Sequence, residues 1–254
     1  MAYGILNDEH LIAIGDAIRT KNNTTNTYKA SEMAAAIASL PGEEILDQFL
    51  ENTITGDYYN DRITTLKHYA FYGTKLTSVD LPNVVSVSSY AFSNMNNLTS
   101  INLPNATSVG SYAFSFSGNS INPLSINLPK LTRVSSNTFQ YCNLKNATLP
   151  KVTEVGEYGF YRSAVTKIDF TDLESINEYA FNNCQSLTTL IIRRTLGAVC
   201  ELNGDYVFIN TPIANGTGYI YVPKNQVYYY QNSVYWEDYK DQIRAIEDYP
   251  DICG

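Results

Sequence analysis

The stretch Tyr90-Ala91-Phe92 decides the fold, because copies of it recur along most of the chain. Phenylalanines stand at positions 71, 92, 114, 139, 160 and 181, which are 21 to 25 residues apart. A tyrosine lies two residues before each of them, except at Asn137, and an aliphatic residue lies five residues before each. A pattern that returns six times at a nearly constant period predicts an array of stacked structural repeats, a solenoid.

A second element, Ile101-Asn102-Leu103-Pro104, also recurs within the array. Its alternation of apolar and polar residues predicts a short strand with two inward side chains around one outward side chain. The proline ends the strand because it offers no N–H to a neighbour. At about 4.8 Å between stacked strands, six or seven coils would form one ladder on the order of 30 Å long. We expect the phenylalanines to form a continuous internal column.

The segments outside the array have their own patterns. The pattern of residues 1–42 predicts an N-terminal helical hairpin that serves as an attachment module. The pattern of residues 43–62 predicts a cap or linker with a strand within 54–59. The repeats fill 63–200, and the third coil carries about four extra residues between positions 115 and 123 that should bulge from one face. Residues 201–254 predict a degenerate last repeat, marked by Tyr219-Ile220-Tyr221-Val222-Pro223, and a C-terminal helical cap anchored by Trp236.

The composition and charge of the chain argue against several classes of partner. The net charge is -8, and the basic residues are not clustered, which argues against a nucleic-acid surface. No apolar run approaches the ~18 residues of a membrane span, and the N-terminus lacks the pattern of a secretory signal. The four cysteines have neither metal-site nor redox spacing, and Cys142 and Cys184 are expected to be buried free thiols.

The sequence offers no catalytic constellation. His10 and His68 belong to different modules, and neither has an acidic or cysteine partner at motif spacing. Gly216-Thr217-Gly218 is too short to cradle a phosphate, and Asp57 and Asp61 lack the alternating oxygens of a calcium loop. We therefore predict a protein that is not an enzyme and that needs no cofactor and no metal.

The outward strand residues are the best candidates for a binding surface, here called the polar face. They form two columns of hydroxyls, amides and charged groups: Ser78, Asp80, Ser100, Asn102, Ser125, Asn127, Asn146, Thr148, Lys167 and Asp169. Extended solenoid faces are commonly used for recognition, although a merely solvated face would satisfy the same alternation. Outside this face, Tyr72, Tyr141 and Tyr161 could stack on sugar rings, anchor a protein partner or pack in the core.

The repeated residues resemble those of BspA-type leucine-rich repeats. The resemblance rests on the Tyr-Ala-Phe element, on Leu98-Thr99-Ser100-Ile101-Asn102-Leu103-Pro104 and on the period near 22. It implies an α+β repeat protein, a right-handed leucine-rich-repeat solenoid of the kind found in bacterial surface proteins and phage-borne proteins. Asn137, Gly159, Thr171 and the long third coil depart from the pattern, each in a single coil.

Residues 13–33 are similar to an N-terminal segment of tail-associated proteins from phages and prophages of Gram-positive bacteria. Residues 211–223 resemble the closing segment of repeat proteins from the same gut-bacterial and phage sources. The resemblance implies a virion component, assembled in the bacterial cytoplasm, that binds a protein or a cell-surface glycan through the polar face. The alternative is a secreted or cell-surface bacterial adhesin whose leader was removed. A glycan-acting enzyme is a remote third hypothesis, since no paired-carboxylate motif is present.

Overall fold

The computed structural model describes residues 55–119, 121, 123–195 and 199–253. Within these residues the chain winds through successive coils, and each coil has two short parallel strands and one turn. The solenoid therefore has a first strand side, a second strand side and a turn side. The predicted N-terminal helical hairpin at 1–42, with His10, and most of the segment 43–62 lie outside the described residues.

The first strand side carries the strands predicted from the apolar–polar alternation. Its strands are β1 (Thr55–Tyr59), β3 (Lys75–Asp80), β5 (Ser100–Asn102), β7 (Ser125–Asn127), β9 (Asn146–Thr148), β11 (Lys167–Phe170), β13 (Thr189–Ile192), β15 (Tyr219–Val222) and β16 (Ile243–Ala245). Val79, Ile101 and Ile168 are buried inside the coil, as the alternation predicts. The strand expected within 54–59 is present and pairs with β3, and the strand of the degenerate last repeat pairs with β13.

The second strand side repeats the same stacking with shorter strands. They are β2 (Thr65–Leu66), β4 (Ser86–Val87), β6 (Ser108–Val109), β8 (Arg133–Val134), β10 (Glu154–Val155), β12 (Ser175–Asn177) and β14 (Glu201–Asn203). Their inward residues are the aliphatic residues that precede each repeat phenylalanine, such as Val87 and Val134, and they are buried.

The expected single ladder is interrupted at the long third coil. On the first strand side, β1, β3, β5 and β7 form one sheet and β9, β11, β13, β15 and β16 form another. Among the described residues, an isolated bridge between Leu124 and Leu144 joins them, and it is one residue out of the register that the repeat predicts. The second strand side breaks at the same level, between β6 and β8. The extra residues before position 124 alter the register, and Ile121 among them is 85% exposed.

The turn side remains continuous across this break. Its phenylalanines are fully buried and stack ring on ring, with centroids 5.0 to 5.6 Å apart and interplanar angles of 17° or less. Backbone hydrogen bonds accompany the rings, for example from Phe114 N–H to the Thr138 carbonyl at 2.9 Å. The predicted column is thus confirmed, and Phe208 extends it by one coil beyond Phe181.

The tyrosines that precede the phenylalanines, except Tyr206, occupy the left-handed region of backbone space. Tyr90 has a φ of 61° and Tyr158 a φ of 56°. Their rings stack in two groups of three, Tyr69–Tyr90–Tyr112 and Tyr158–Tyr179–Tyr206, with centroids 4.8 to 5.4 Å apart. Asn137, at a φ of 60°, separates the groups, and asparagine tolerates this conformation better than most residues.

The prediction of a C-terminal helical cap is not confirmed. The segment after β15 contains two short α-helices, α1 (Val227–Gln231) and α2 (Pro250–Cys253), three 3-10 turns, and the strand β16. Trp236 nevertheless anchors this end: it is 1% exposed, and its Nε1–H donates to the Cys200 carbonyl at 2.7 Å. Its ring packs against Tyr230 and Phe208, so the Trp236 side chain closes the end of the phenylalanine column.

Candidate recognition surface

The structure places the first six residues of the polar face in two aligned columns. Ser78, Ser100 and Ser125 are in register on neighbouring strands, and so are Asp80, Asn102 and Asn127. The same stacking continues beyond the break, where Asn146 pairs with Lys167 and the exposed Thr148 pairs with Asp169. The interruption between β7 and β9 divides the polar face into an N-terminal half and a C-terminal half.

In the N-terminal half, the outward side chains hydrogen-bond to one another from coil to coil. Asn102 Nδ2 donates to Asp80 Oδ1 at 2.8 Å, and Asn127 Nδ2 donates to Asn102 Oδ1 at 2.6 Å. Asn127, at the end of this ladder, is exposed. The ladder fixes the rotamers of three polar side chains before any partner binds, which lowers the entropic cost of binding.

The first strand β1 extends this half by two residues that the sequence analysis missed. Asp57 accepts hydrogen bonds from the hydroxyls of Ser78 at 2.6 Å and Thr77 at 3.0 Å, and these bonds lower the pKa of its carboxyl group. Tyr59 stands next to Asp80 in the other column and is 63% exposed. The signal was present, because Asp57 and Tyr59 flank Tyr58 as Ser78 and Asp80 flank Val79.

In the C-terminal half of the polar face, Lys167 and Asp169 lie beside the C-terminal segment of the chain. Residues 246–253, here called the strap, comprise a 3-10 turn (Ile246–Asp248) and α2. Lys167 Nζ donates to the Ile252 carbonyl at 2.6 Å. Asp169 forms an ion pair with Arg193 at 2.7 Å, and Arg193 also donates to the Cys253 carbonyl. Lys167 and Asp169 are therefore already partnered within the chain, and their part in a binding surface stays a prediction.

The strap lies here because the outward column becomes apolar in the last coils. Asp169 is in register with Ile191, and Ile191 with Tyr221. Ile191 and Tyr221 are buried in a small cluster with Cys253, outside the main core. An exposed isoleucine and tyrosine on neighbouring strands would leave apolar area in water, and the strap removes that area from solvent.

The buried cysteines have the character expected from the sequence. Cys142 and Cys184 are free thiols in the core, and burial raises the pKa of each to about 12. Burial also raises the pKa of the Cys253 thiol, which belongs to the strap and packs against Ile191 and Tyr221. A raised pKa means that less of the thiol is present as the reactive thiolate at pH 8. We therefore expect all four thiols to react slowly in the folded protein.

Replacing Arg193 by glutamine is expected to raise the reaction rate of Cys253 about tenfold, because the strap loses its bond from Arg193 to the Cys253 carbonyl. A charge-assisted hydrogen bond typically stabilises a structure by about 1 to 3 kcal/mol, and an exposed pair by less. Mass spectrometry after alkylation at pH 8 would locate the modified thiol. Arg194→Gln is the matched control, because Arg194 pairs with Glu174 away from the strap. Equal labelling of Cys253 in the two variants would show that Arg193 does not hold the strap.

The chemistry available on the polar face is hydrogen bonding and local charge. In the described ranges no three His, Cys, Asp or Glu side chains converge in a way that could hold a metal ion. None of the helices in the described part of the chain is long and apolar enough to cross a lipid bilayer. His68 is exposed on the turn side, and no side-chain hydrogen bond or ion pair joins it to another described residue.

Stacked parallel strands, an internal phenylalanine column and a period near 22 residues define a leucine-rich-repeat solenoid. The chain belongs to the BspA type leucine rich repeat region family, whose model matches residues 64–127 and 115–236 in six copies. A similar solved structure is a leucine rich cell surface protein from Faecalibacterium prausnitzii A2-165, 24% identical with a TM-score of 0.38. The match covers 54% of this chain and 47% of that chain, about half of each. Comparison with curated proteins gives no match.

Proposed function

We propose that this chain is a non-enzymatic recognition protein that binds a protein partner through the N-terminal half of the polar face. The observation that carries the proposal is the preformed ladder of Asp80, Asn102 and Asn127 on an open, strand-built surface. Rigid sheet strands hold such groups more accurately than loops do. The proposed surface is restricted to this half because Lys167 and Asp169, in the other half, already have partners within the chain.

The chemistry of this half suits a protein partner. The serine column offers hydroxyls that donate and accept, and the neighbouring column offers carboxylate and amide oxygens. Exposed Tyr59 at the end of that column supplies an aromatic side chain of the kind that dominates binding energy in protein interfaces. A row of polar groups with one aromatic anchor matches the common arrangement of a polar surface around a hot spot.

The setting that we propose is a tail-associated component of a phage or prophage of Gram-positive bacteria. Its support is the similarity of residues 13–33 to a segment of such tail-associated proteins, and of residues 211–223 to a segment of repeat proteins from gut bacteria and phages. Quantitative mass spectrometry of purified virions tests it, and enrichment of this chain in step with the tail proteins is the expected result. Recovery from the bacterial surface, with none in virions, would overturn the tail setting and favour an adhesin.

Changing Asp80, Asn102 and Asn127 together to alanine is expected to weaken capture of the partner about 100-fold. Each truncation removes a hydrogen-bonding group worth about 1 kcal/mol, and three such losses correspond to two factors of ten. The wild-type and variant chains would be immobilised, and proteins captured from virions or from host cell envelopes would be quantified side by side.

The matched control changes Thr107, Ser108 and Thr132 to alanine, which removes polar groups from the second strand side. Circular dichroism would establish that both triple variants keep the fold. Capture that is lost equally in the two variants, or retained in both, would contradict the proposed face.

A further inference from the structure

A second column on the turn side carries side chains that its backbone does not favour. Four residues after each repeat tyrosine, or after Asn137, the chain again enters the left-handed region. The residues at this position are Gly73, Asn94, Phe116, Tyr141, Arg162, Asn183 and Asn210. Glycine and asparagine adopt positive φ most readily. Phe116, Tyr141 and Arg162 stand there in three consecutive coils, at φ values of 57°, 53° and 53°.

Unfavourable backbone conformations that persist point to a function for the side chain they present. The Phe116 and Tyr141 rings are stacked, with centroids 4.7 Å apart and an interplanar angle of 10°. They remain 46% and 37% exposed, although the phenylalanines two residues before each are fully buried. These two aromatic side chains therefore form an apolar wall on the surface.

Arg162 is held beside this wall. Its Nη1 donates to the Tyr141 hydroxyl at 3.1 Å, and its guanidinium carbon lies 5.5 Å from the Tyr141 ring centroid and 5.4 Å from that of Tyr161. The remaining N–H groups of Arg162 are open to solvent, because the residue is exposed. The two cation–π contacts orient the guanidinium without neutralising its charge.

Tyr141, from this wall, and Arg162 border a groove of about 440 Å³, within the size range of small-ligand sites. Its lining residues are Tyr141, Arg162, Ser163, Ala164, Asn183, Gln185 and Ser186. Gln185 and Ser186 are exposed, and their side chains form no hydrogen bond to the described residues. Arg162 is the one charged side chain in this lining, although the chain as a whole carries a net charge of -8.

We propose that this groove binds a glycan through a sugar that carries a carboxylate, such as a uronic or sialic acid. The apolar C–H face of a pyranose packs against aromatic side chains, and its hydroxyls pair with amide and hydroxyl groups such as those of Gln185 and Ser186. The planar guanidinium of Arg162 matches a carboxylate, with which arginine forms two parallel hydrogen bonds. The site lies on the turn side and does not depend on the proposed protein-binding face.

The test uses the full chain and two defined oligosaccharides, one ending in glucuronic acid and one in N-acetylneuraminic acid. Each is compared with its counterpart in which the carboxyl group is reduced to an alcohol, and binding is measured by calorimetry or by saturation-transfer NMR. We expect the wild-type chain to bind at least one of the acidic glycans about tenfold more tightly than the reduced form.

The variants separate the roles of the two side chains. Arg162→Gln should bind the acidic and reduced forms alike, because the guanidinium is gone, whereas Tyr141→Ala should weaken binding of both. Tyr141→Phe keeps the ring and removes the hydroxyl that orients Arg162, so it should reduce the preference for the acid without loss of the fold. Arg133→Gln and Tyr228→Ala are matched controls at exposed positions outside the groove.

Three results would overturn the proposal. One is that neither acidic glycan binds, and another is that the acidic and reduced forms bind the wild-type chain equally. The third is that binding is unchanged in Arg162→Gln. A protein captured by a photo-crosslinker at position 141, with no glycan bound, would assign the groove to a protein partner instead.

Discussion

Phe139→Ala is expected to lower the free energy of unfolding by about 3 to 5 kcal/mol, the usual cost of truncating a fully buried phenylalanine. Phe139 stacks on Phe114 at 5.4 Å and on Phe160 at 5.0 Å, and it is completely buried. It also lies at the level where both strand ladders are interrupted. At this level the phenylalanine column and the backbone bonds of the turn side remain continuous, so loss of the Phe139 ring should also weaken the coupling between the two halves.

Urea denaturation followed by two probes would detect both effects. Trp236, the single tryptophan, reports on the C-terminal end, while far-ultraviolet circular dichroism reports on the whole chain. In Phe139→Ala the two probes should give separate transitions, because coils interact only with their neighbours. Phe181→Ala is the matched control: its ring stacks on Phe160 and Phe208, where both strand ladders are continuous. It should lose similar stability in one transition, and coincident transitions in both variants would contradict the uncoupling.

Trp236→Ala is expected to cost about 3 to 5 kcal/mol, because it removes the side chain that closes the end of the core. The substitution exposes the rings of Phe208 and Tyr230 and leaves the Cys200 carbonyl without its donor. Terminal coils of repeat proteins need such a closure to shield the apolar interior from water. Thermal and urea unfolding followed by circular dichroism would measure the loss.

Trp236→Phe separates the two contributions of this side chain. A phenylalanine retains most of the buried ring but cannot donate to the Cys200 carbonyl, so about 1 to 3 kcal/mol should be lost. An exposed aromatic of the same segment, Tyr228→Ala, is the control and should change little, since Tyr228 is 70% exposed. If Trp236→Phe loses as much stability as Trp236→Ala, the hydrogen bond to the Cys200 carbonyl, and not the buried ring, accounts for the loss.

The sequence predicted the coil, because its periodic positions have one physical role in every repeat. The phenylalanines fill the interior and the alternating strand residues divide between interior and solvent, so spacing alone was enough. One copy of the repeat, Tyr206-Val207-Phe208, was missed. Its Phe208 lies 27 residues after Phe181, and it has valine in place of alanine. The interruption at the third coil was also missed, because an insertion reveals its length in the sequence but not its effect on strand register.

The two columns of the polar face were predicted from the sequence, but the partners of Lys167 and Asp169 were not. Lys167 and Asp169 have the same alternation as Asp80 and Asn102, so nothing local marks them as partnered within the chain. The strap contacts Lys167 directly, 85 residues away in sequence, and reaches Asp169 through Arg193, and the repeat period does not predict such distant contacts. The signal that could have revealed it was the change from Asp169 to Ile191 and Tyr221 in one outward column, because an apolar outward column needs a cover.

The stacking of coils also sets how the molecule would respond to tension. The hydrogen bonds between strands of neighbouring coils run along the solenoid axis, so a pull on its two ends loads the bonds of one coil at a time. A coil of about 22 residues that peels away extends from ~4.8 Å to roughly 75 Å. Under tension such a molecule would lengthen at low force, one coil at a time. The junction after the third coil, where both strand ladders are interrupted, would separate first.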